Sequence, residues 1–196
     1  FIKEWATALT PINFVLFGLT SGAAATTAAA HYTMPGMAIG YLLSYLVAFL
    51  AALSLVMKAL TFQYNATVYS NIGIKNALGM NNPHIRLMDT GAAYAHFNTR
   101  EYFFPMTRRQ NDIQQTLVLG ISFFLPLMMA LYAAYNPALR LGGLFSTAAL
   151  LIAVGLILER RLFFIQGNHI QNLYYGNYRR NAVPNPAASK AKPGTP

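Results

Sequence analysis

Cysteine is absent from the 196-residue sequence, and acidic residues are scarce. Without cysteine the chain can form no disulfide, no thiol nucleophile and no cysteine-ligated iron–sulfur cluster. The five acidic residues are scattered along the chain, so the sequence predicts no carboxylate-based metal site; they are Glu4, Asp89, Glu101, Asp112 and Glu159. We therefore expect neither a metal ligand set nor a catalytic residue in this chain.

Charged residues of both signs make up only 10% of the chain, whereas apolar residues make up 55%. Soluble proteins average about 25% charged residues, and the mean hydropathy here is +0.37. Because so little polar surface cannot coat a water-soluble globule, the composition indicates an integral membrane protein. The sequence begins at Phe1 without an initiator methionine or a signal-peptide pattern, which leaves open whether residues precede it.

Four uncharged apolar stretches predict four transmembrane helices. At 18 to 21 residues each, they would measure about 27–32 Å, the thickness of a bilayer core. Pro35-Gly36 and Asn136-Pro137 interrupt the short connections between the first two and the last two. We therefore expect an all-α integral membrane protein with two helical hairpins, whose spans cover residues 11–30, 37–57, 116–135 and 141–158.

The positive charge lies almost entirely on one side of this predicted topology. With four spans, 13 of the 14 lysine and arginine residues share the face of the two termini and the long loop, and only Arg140 lies on the other face. By the positive-inside rule, we expect the basic face to be cytoplasmic and the chain to be a multi-pass protein of the inner (cytoplasmic) membrane.

The predicted spans contain no ionisable residue in their apolar cores. Intramembrane charges are the usual markers of ion and proton pathways, and a b-type haem needs two facing histidines, whereas His31 lies at the end opposite the other three histidines. We therefore expect no haem cytochrome, pump or ion transporter. Pro126 predicts a kink in the third span, and the GxxxG pattern of Gly18 and Gly22 predicts generic helix packing.

Outside the spans, the sequence predicts a long loop, a terminal helix and a tail. The loop, residues 61–112, is rich in aromatic and amide side chains, which suits both an interfacial aromatic belt and a docking platform for a soluble subunit. Apolar spacing predicts an interfacial amphipathic helix over residues 159–176. The membrane domain would then cover residues 1–180, and the polar composition of residues 181–196 predicts a disordered tail.

Several of these segments together resemble the carboxyl-terminal half of the membrane anchor subunit of DMSO-reductase-type molybdoenzymes. The resemblance covers about residues 5 to 178 and is carried by the entry to the first span, by motifs of the loop and by the terminal helix. These motifs are Thr10-Pro11-Ile12-Asn13-Phe14, Tyr69-Ser70-Asn71-Ile72-Gly73, Ala77-Leu78-Gly79, Ile85-Arg86-Leu87-Met88-Asp89, Phe97-Asn98-Thr99-Arg100-Glu101-Tyr102, Arg161-Leu162-Phe163-Phe164 and His169-Ile170-Gln171-Asn172-Leu173-Tyr174-Tyr175-Gly176.

The resemblance implies a role in electron transfer. Anchors of this family have about eight membrane helices, hold a molybdopterin subunit and an iron–sulfur subunit at the membrane, and exchange electrons with the quinone pool. The membrane subunits of sulfite dehydrogenases and polysulfide reductases are similar to them, and none carries haem. Only four spans are predicted here, so the chain is a fragment, one half of a split subunit whose amino-terminal half is another polypeptide, or an undivided four-span relative.

The resemblance also implies partners and candidate sites. The chain would bind no cofactor itself, would use quinone or quinol as an exchangeable substrate, and would contact the iron–sulfur subunit, the molybdopterin subunit, the missing amino-terminal half and membrane lipid, but no nucleic acid. Candidate residues for docking are Arg100, Glu101, Arg108, Arg109 and His169, and candidates on the quinone side are His84, Arg86 and His96. A scaffold without quinone chemistry and half of a membrane transporter are the alternatives.

Overall fold

The computed structural model describes residues 2–34, 37–71, 79, 106–136 and 141–167, and this part of the chain is helical with short turns and contains no strand. The all-α prediction is therefore confirmed for the described residues. In chain order the elements are α1 (Leu9–Thr33), α2 (Ala38–Asn71), α3 (Arg108–Leu119), a π-helical segment (Gly120–Phe124), α4 (Leu125–Tyr135) and α5 (Gly142–Gln166).

Three helical stretches are long and apolar enough to cross a membrane. They are Leu9–Thr33 with 25 residues, Ala38–Thr67 with 30 residues, and Arg108–Tyr135 with 28 residues. The last of these runs through α3, the π-helical segment and α4 without interruption. A fourth span, which would lie in α5, and the layout of four spans as two hairpins stay predictions.

The helices extend beyond the predicted spans. The prediction ends the second span at residue 57, but α2 continues to Asn71, and it ends the fourth at residue 158, but α5 continues to Gln166. Both ends of the predicted loop 61–112 are therefore helical, and residues 159–166 of the predicted interfacial helix belong to α5. Lys58 and Glu159, where the uncharged stretches stop, pair with each other inside the helices and do not terminate them.

The chain divides into two compact units. The first, called the helical unit below, comprises Thr7–Phe62 and Arg109–Phe164, and the second comprises Phe1–Ala6, Gln63–Arg108 and Ile165–Pro196. In the second unit, Gly167 packs against Trp5, because a Cβ atom at Gly167 would lie 2.8 Å from Cε2 of the indole ring. The buried ion pair and the buried histidine described below lie in the helical unit.

Two hydrogen bonds between side chains set the register of α1 against α2. Asn13 Nδ2 donates to Thr61 Oγ1 at 2.7 Å, and the hydroxyl oxygens of Thr20 and Ser54 lie 2.9 Å apart. From Asn13 to Thr20 the contacts advance seven residues along α1, while their partners go back seven residues along α2, from Thr61 to Ser54. The two helices therefore pack antiparallel. Such polar contacts hold membrane helices together where lipid gives no hydrophobic driving force.

Small side chains dominate the core of the helical unit and permit close helix packing. Its buried apolar residues are Ala24, Ala28, Val47, Ala48, Ala130, Ala133, Leu141, Phe145 and Ile152. By contrast, the predicted packing motif of Gly18 and Gly22 is exposed, and a Cβ atom at either glycine would meet nothing within 4 Å. That motif therefore makes no helix contact within the described part of the chain.

Pro126 coincides with a local widening of its helix. Since proline has no backbone N–H and its ring crowds the carbonyl four residues earlier, the regular hydrogen-bond ladder cannot pass it. The chain instead forms a π-helical turn over Gly120–Phe124, in which the N–H of Leu125 donates to the carbonyl of Gly120. Gly155 of α5 packs against this turn so closely that a Cβ atom there would lie 2.7 Å from the Cα atom of Ser122.

Candidate functional site: a buried charge cluster

The interior of the helical unit contains an ion-paired group of three residues, called the charge cluster below. Lys58 of α2 donates a hydrogen bond from Nζ to Oε1 of Glu159 in α5. The neighbouring Arg160 donates from Nε to the other carboxylate oxygen, Oε2, and its Nη2 contacts the same oxygen. The side chain of Glu159 is fully buried and that of Lys58 is 5% exposed.

The helices that can cross a membrane by length and composition are longer than the predicted spans. Residues 11–30 and 37–57 contain no ionisable residue, as predicted from the sequence, whereas the longer helical stretch Leu9–Thr33 includes His31 and Ala38–Thr67 includes Lys58. Both side chains are buried. The uncharged stretch ends at Met57, which places Lys58 one residue beyond the predicted second span, although α2 continues for three and a half further turns.

Two cations share one carboxylate in the cluster, and each of them contacts a different oxygen of it. Transfer of such groups from water into a low-dielectric interior costs several kcal/mol per ion, and a mutual hydrogen bond recovers this cost only in part. Ionisable residues in membrane helices are accordingly rare and most often functional. The cluster is therefore the strongest candidate site among the described residues.

Aromatic rings surround the two cations. The Arg160 guanidinium lies 3.8 Å from the ring centre of Phe14 and 5.1 Å from that of Phe163. Lys58 Nζ lies 4.8 Å from the ring centre of Phe62 and 6.0 Å from that of Phe17. Cation–π attraction is worth about 2 kcal/mol when the groups are desolvated, so these rings replace part of the lost hydration.

The same rings bring several helices together at the cluster. Phe17 of α1, which faces Lys58, packs at 4.9 Å against Phe123 of the π-helical segment. The charges themselves come from α2 and α5. Because π-helical turns frequently occur at functional sites, the position of this turn beside the cluster agrees with a functional role.

Two polar atoms at this end of the unit have no hydrogen-bond partner among the described residues. They are Oδ1 of Asn13 and Nη1 of Arg160, and both atoms are buried. Asn13 is 3% exposed and directly precedes Phe14, whose ring lies on the guanidinium. Both atoms are therefore enclosed in the interior with their hydrogen-bonding capacity unsatisfied among the described residues.

The cluster lies inside the helices and not at their ends. Lys58 precedes Thr67, the end of the membrane-capable stretch, by nine residues, and Glu159 precedes Gln166, the end of α5, by seven. At 1.5 Å per residue these separations correspond to about 14 Å and about 10 Å. The cluster thus lies two to three turns from the end of the helices on the side predicted to be cytoplasmic.

A further buried ionisable residue, His31, lies toward the other end of the helical unit. The imidazole of His31 stacks on Phe145 at 5.1 Å with an interplanar angle of 11°, and Tyr41 meets its edge at 6.3 Å. Gly40 makes room for the ring, because a Cβ atom there would lie 3.3 Å from the imidazole. Nε2 of His31 has no hydrogen-bond partner among the described residues. These contacts indicate that His31 packs against aromatic rings and does not act as a ligand of a metal or cofactor.

Most of the site residues predicted from the sequence lie outside the described residues: His84, Arg86, His96, Arg100, Glu101 and His169. Their roles stay predictions. Arg108 and Arg109 are described, and both are exposed at the start of α3. Sequence reasoning missed Lys58 and Glu159. One signal could have indicated them: apolar residues continue on the far side of each, as Ala59-Leu60 after Lys58 and Leu162-Phe163-Phe164-Ile165 after Glu159.

Comparison with known proteins gives one distant relative. The chain is 28% identical over 177 residues to a subunit of the sulfite dehydrogenase of Allochromatium vinosum, in an alignment that covers 89% of this chain and 52% of that protein. The chain therefore spans about half the length of the curated relative that it matches. No family model matches the chain, and no solved structure matches it. The similarity supports a membrane subunit of a redox enzyme complex and does not distinguish the DMSO-reductase type from related types.

Proposed function

We propose that the chain is a membrane anchor subunit of a multi-subunit molybdopterin/iron–sulfur oxidoreductase of the inner membrane. It docks the iron–sulfur subunit and supports the exchange of electrons with the quinone pool. The observation that carries this proposal is the similarity of 89% of the chain to a subunit of a sulfite dehydrogenase. The three helices that can cross a membrane, and a buried charge cluster inside the helical unit, support it.

Docking is proposed to use the predicted basic face, to which the four-span topology assigns both termini and the residues between α2 and α3. Arg108 and Arg109 are exposed at the start of α3 and are available for contacts to an acidic partner surface. Arg100, Glu101 and His169 complete the proposed docking set. Charged groups at the rim of an interface mainly set the rate and selectivity of association, so single substitutions should weaken docking and not abolish it.

The direct test is affinity purification of the tagged chain from its native membrane, followed by identification of the copurifying proteins. The proposal predicts two further subunits, together with molybdenum, acid-labile sulfide and extractable quinone. Replacing Arg108 and Arg109 together by alanine should lower the yield of these subunits, whereas Arg161→Ala, at an exposed arginine of α5, should leave the yield unchanged. A tagged chain that purifies without any redox-active subunit would contradict the proposal.

A specific observation favours a second candidate. Lys58 and His31 are buried ionisable residues within helices that can cross a membrane, and such residues also mark transport pathways. Half of a membrane transporter is therefore the second candidate function. Solute flux into vesicles that contain only this chain would favour the transporter. A scaffold without quinone chemistry would instead give an assembled complex whose turnover is insensitive to quinone-site inhibitors.

A further inference from the structure

We infer that the π-helical turn before Pro126 sets the rotational position of α3 and thereby turns the arginines at the start of α3 toward a docking partner. The inference rests on the proposed function, because it assigns Pro126 as a positioning residue for the proposed docking surface. Its basis is a change of buried face within the continuous helical stretch Arg108–Tyr135.

The buried face of α4 predicts which residues of α3 would be buried if the helix were regular. Ala133 and Pro126 are buried and lie seven residues apart, which is about two turns. Two further steps of seven residues lead to Leu119 and Asp112, and 18 residues, or about five turns, lead from Pro126 back to Arg108. An unbroken α-helix would therefore direct Leu119, Asp112 and Arg108 toward the interior.

The observed buried face of α3 lies one residue earlier. Val118 is 1% exposed and Asn111 is half-buried, whereas Asp112 and Arg108 are exposed. One residue corresponds to a rotation of about 100° about the helix axis. The π-helical turn Gly120–Phe124 accounts for this rotation, because such a turn contains one residue more than an α-helical turn.

Pro126 explains why the helix widens at this point. It cannot donate a hydrogen bond to the carbonyl of Ser122, and its ring crowds that carbonyl. The turn leaves Oγ of Ser122 buried without a hydrogen-bond partner among the described residues. By contrast, the buried hydroxyl of Ser44 in a regular helix donates to the carbonyl of Gly40, four residues earlier. The turn is thus retained at a cost, and π-helical turns of this kind frequently occur at functional sites.

The neighbouring helices hold the turn on two sides. Phe123 is fully buried and packs on Phe17 of α1 at 4.9 Å between ring centres. Gly155 of α5 approaches so closely that a Cβ atom there would lie 2.7 Å from the Cα atom of Ser122. Because these contacts fix the turn, a change in its number of residues should be transmitted to α3 as a rotation.

This rotation decides how the start of α3 is presented to a partner. Without it, Arg108 would lie on the inner face, where it could not contact a water-soluble subunit. With it, Arg108 and Arg109 are both exposed. Charged groups at the rim of an interface steer association only when they face the partner, so docking depends on the turn as well as on the arginines.

The test rotates α3 without changing any residue of the docking set. Pro126→Ala lets the regular hydrogen-bond ladder pass, so α3 should rotate by about 100°. Deletion of Ile121 in the same chain removes the extra residue, so a regular helix should then restore the original face. An alanine inserted after Leu119 keeps Pro126 and the turn, and it should rotate α3 by the same angle as Pro126→Ala. Pro11→Ala, at an exposed proline of α1, is the matched control.

Maleimide labelling measures the rotation, because the sequence contains no native cysteine. The full chain is expressed in membranes without partner subunits, so that no docked subunit covers α3. In the wild-type background, Asp112→Cys should label faster than Asn111→Cys. This order should reverse with Pro126→Ala and with the inserted alanine, and it should return when Ile121 is also deleted.

Retention of the redox subunits by the complete complex is the second measurement. We expect both rotated chains to bind these subunits about tenfold more weakly, through the loss of charged rim contacts. The deletion of Ile121 should restore the binding to the Pro126→Ala chain, and Pro11→Ala should bind as the wild type does. A substitution that merely destabilised the helix would not be rescued by a further deletion.

The outcomes separate the inference from the proposed function. If Asp112→Cys still labels faster in both rotated chains, or if the order reverses while the redox subunits are retained equally well, the inference is wrong and the proposed function stands. Weaker retention that the deletion of Ile121 does not restore also contradicts the inference. A wild-type chain that retains no redox subunit refutes the proposed function, whatever the labelling order. If Pro126→Ala does not accumulate in the membrane, the chain with the inserted alanine decides alone.

Discussion

The two ends of the helical unit bury ionisable side chains in different ways. At one end, Lys58 and Glu159 come from two helices and compensate each other, with Arg160 added at the edge. At the other end, His31 has no ionic partner among the described residues and stacks flat on Phe145. An imidazole can be buried as a neutral ring, whereas a lysine or a glutamate requires a counter-charge. A substitution that removes one member of the charge cluster should therefore lower the free energy of unfolding strongly, whereas a substitution of His31 should lower it only slightly.

The largest effect is expected from Glu159→Leu. The substitution leaves Lys58 buried without a counter-charge, which should lower the free energy of unfolding by about 3–5 kcal/mol. SDS titration in mixed micelles measures this change. Asp112→Asn is the control, because Asp112 is an exposed acidic residue of α3 and its substitution should stay within about 0.5 kcal/mol. Equal effects of the two substitutions would show that the carboxylate of Glu159 is not paired in the interior.

A smaller effect is expected from Gly155→Ala. The new Cβ atom would overlap Oγ of Ser122 and lie 2.7 Å from its Cα atom, so the backbones of α5 and the π-helical segment must separate. Overpacking of this kind costs about 1–3 kcal/mol. In the same helix, Gly143 has nothing within 4 Å of a built Cβ atom, and Gly143→Ala should leave the unfolding free energy unchanged or slightly higher. A reversed order of the two variants would contradict the close approach at Gly155.

His31→Leu is expected to cost less than about 1.5 kcal/mol. The variant loses the stacking on Phe145, worth about 0.5–1.5 kcal/mol, but it also removes a buried Nε2 that has no partner among the described residues. The same unfolding titration, carried out also on Lys58→Leu, compares the cost of losing a buried ionisable residue at the two ends of the helical unit. A cost for His31→Leu as large as that for Glu159→Leu would show that His31 has a polar partner in the folded protein.

The smallest effect is expected at the hydrogen bonds between α1 and α2. Thr61→Val removes the acceptor of Asn13 and should cost about 1 kcal/mol, near the range of about 0.6–1.7 kcal/mol for interhelical hydrogen bonds in a membrane protein. Thr26→Val is the matched control, because the exposed hydroxyl of Thr26 donates to the carbonyl of Gly22 in its own helix. If Thr26→Val is the more destabilising of the two, the register of α1 against α2 is incorrect.

Much of the helical framework follows from the sequence alone. Uncharged stretches of about 20 residues locate α1, α2 and the helices around Pro126, because a helix of that length matches the thickness of a bilayer core. The ends of the helices do not follow from hydropathy. The uncharged stretches stop at Lys58 and at Glu159, although each charge is compensated by the other from 101 positions away. A sequence pattern does not show that long-range pairing.

The candidate site is less predictable than the fold. The family resemblance directs the prediction to polar residues of the loop, among them His84, His96 and Arg100, whereas the charge cluster depends on which helix faces meet. Asn13 belongs to the motif at the entry to the first span, Thr10-Pro11-Ile12-Asn13-Phe14, but its free acceptor becomes evident only once Thr61 is known to hold the amide. Similarly, Pro126 predicts a distortion but not the π-helical turn that receives Gly155.

A double-mutant cycle between Lys58 and Glu159 tests most directly whether a charge cluster is built into the helical unit. The account predicts that Lys58→Met and Glu159→Leu are each strongly destabilising alone, and that the double variant is more stable than Glu159→Leu alone, with a coupling free energy of about 2 kcal/mol or more. The partly exposed Arg160 can then turn toward the surface. Additive effects of the two substitutions, with a coupling free energy near zero, would contradict the account.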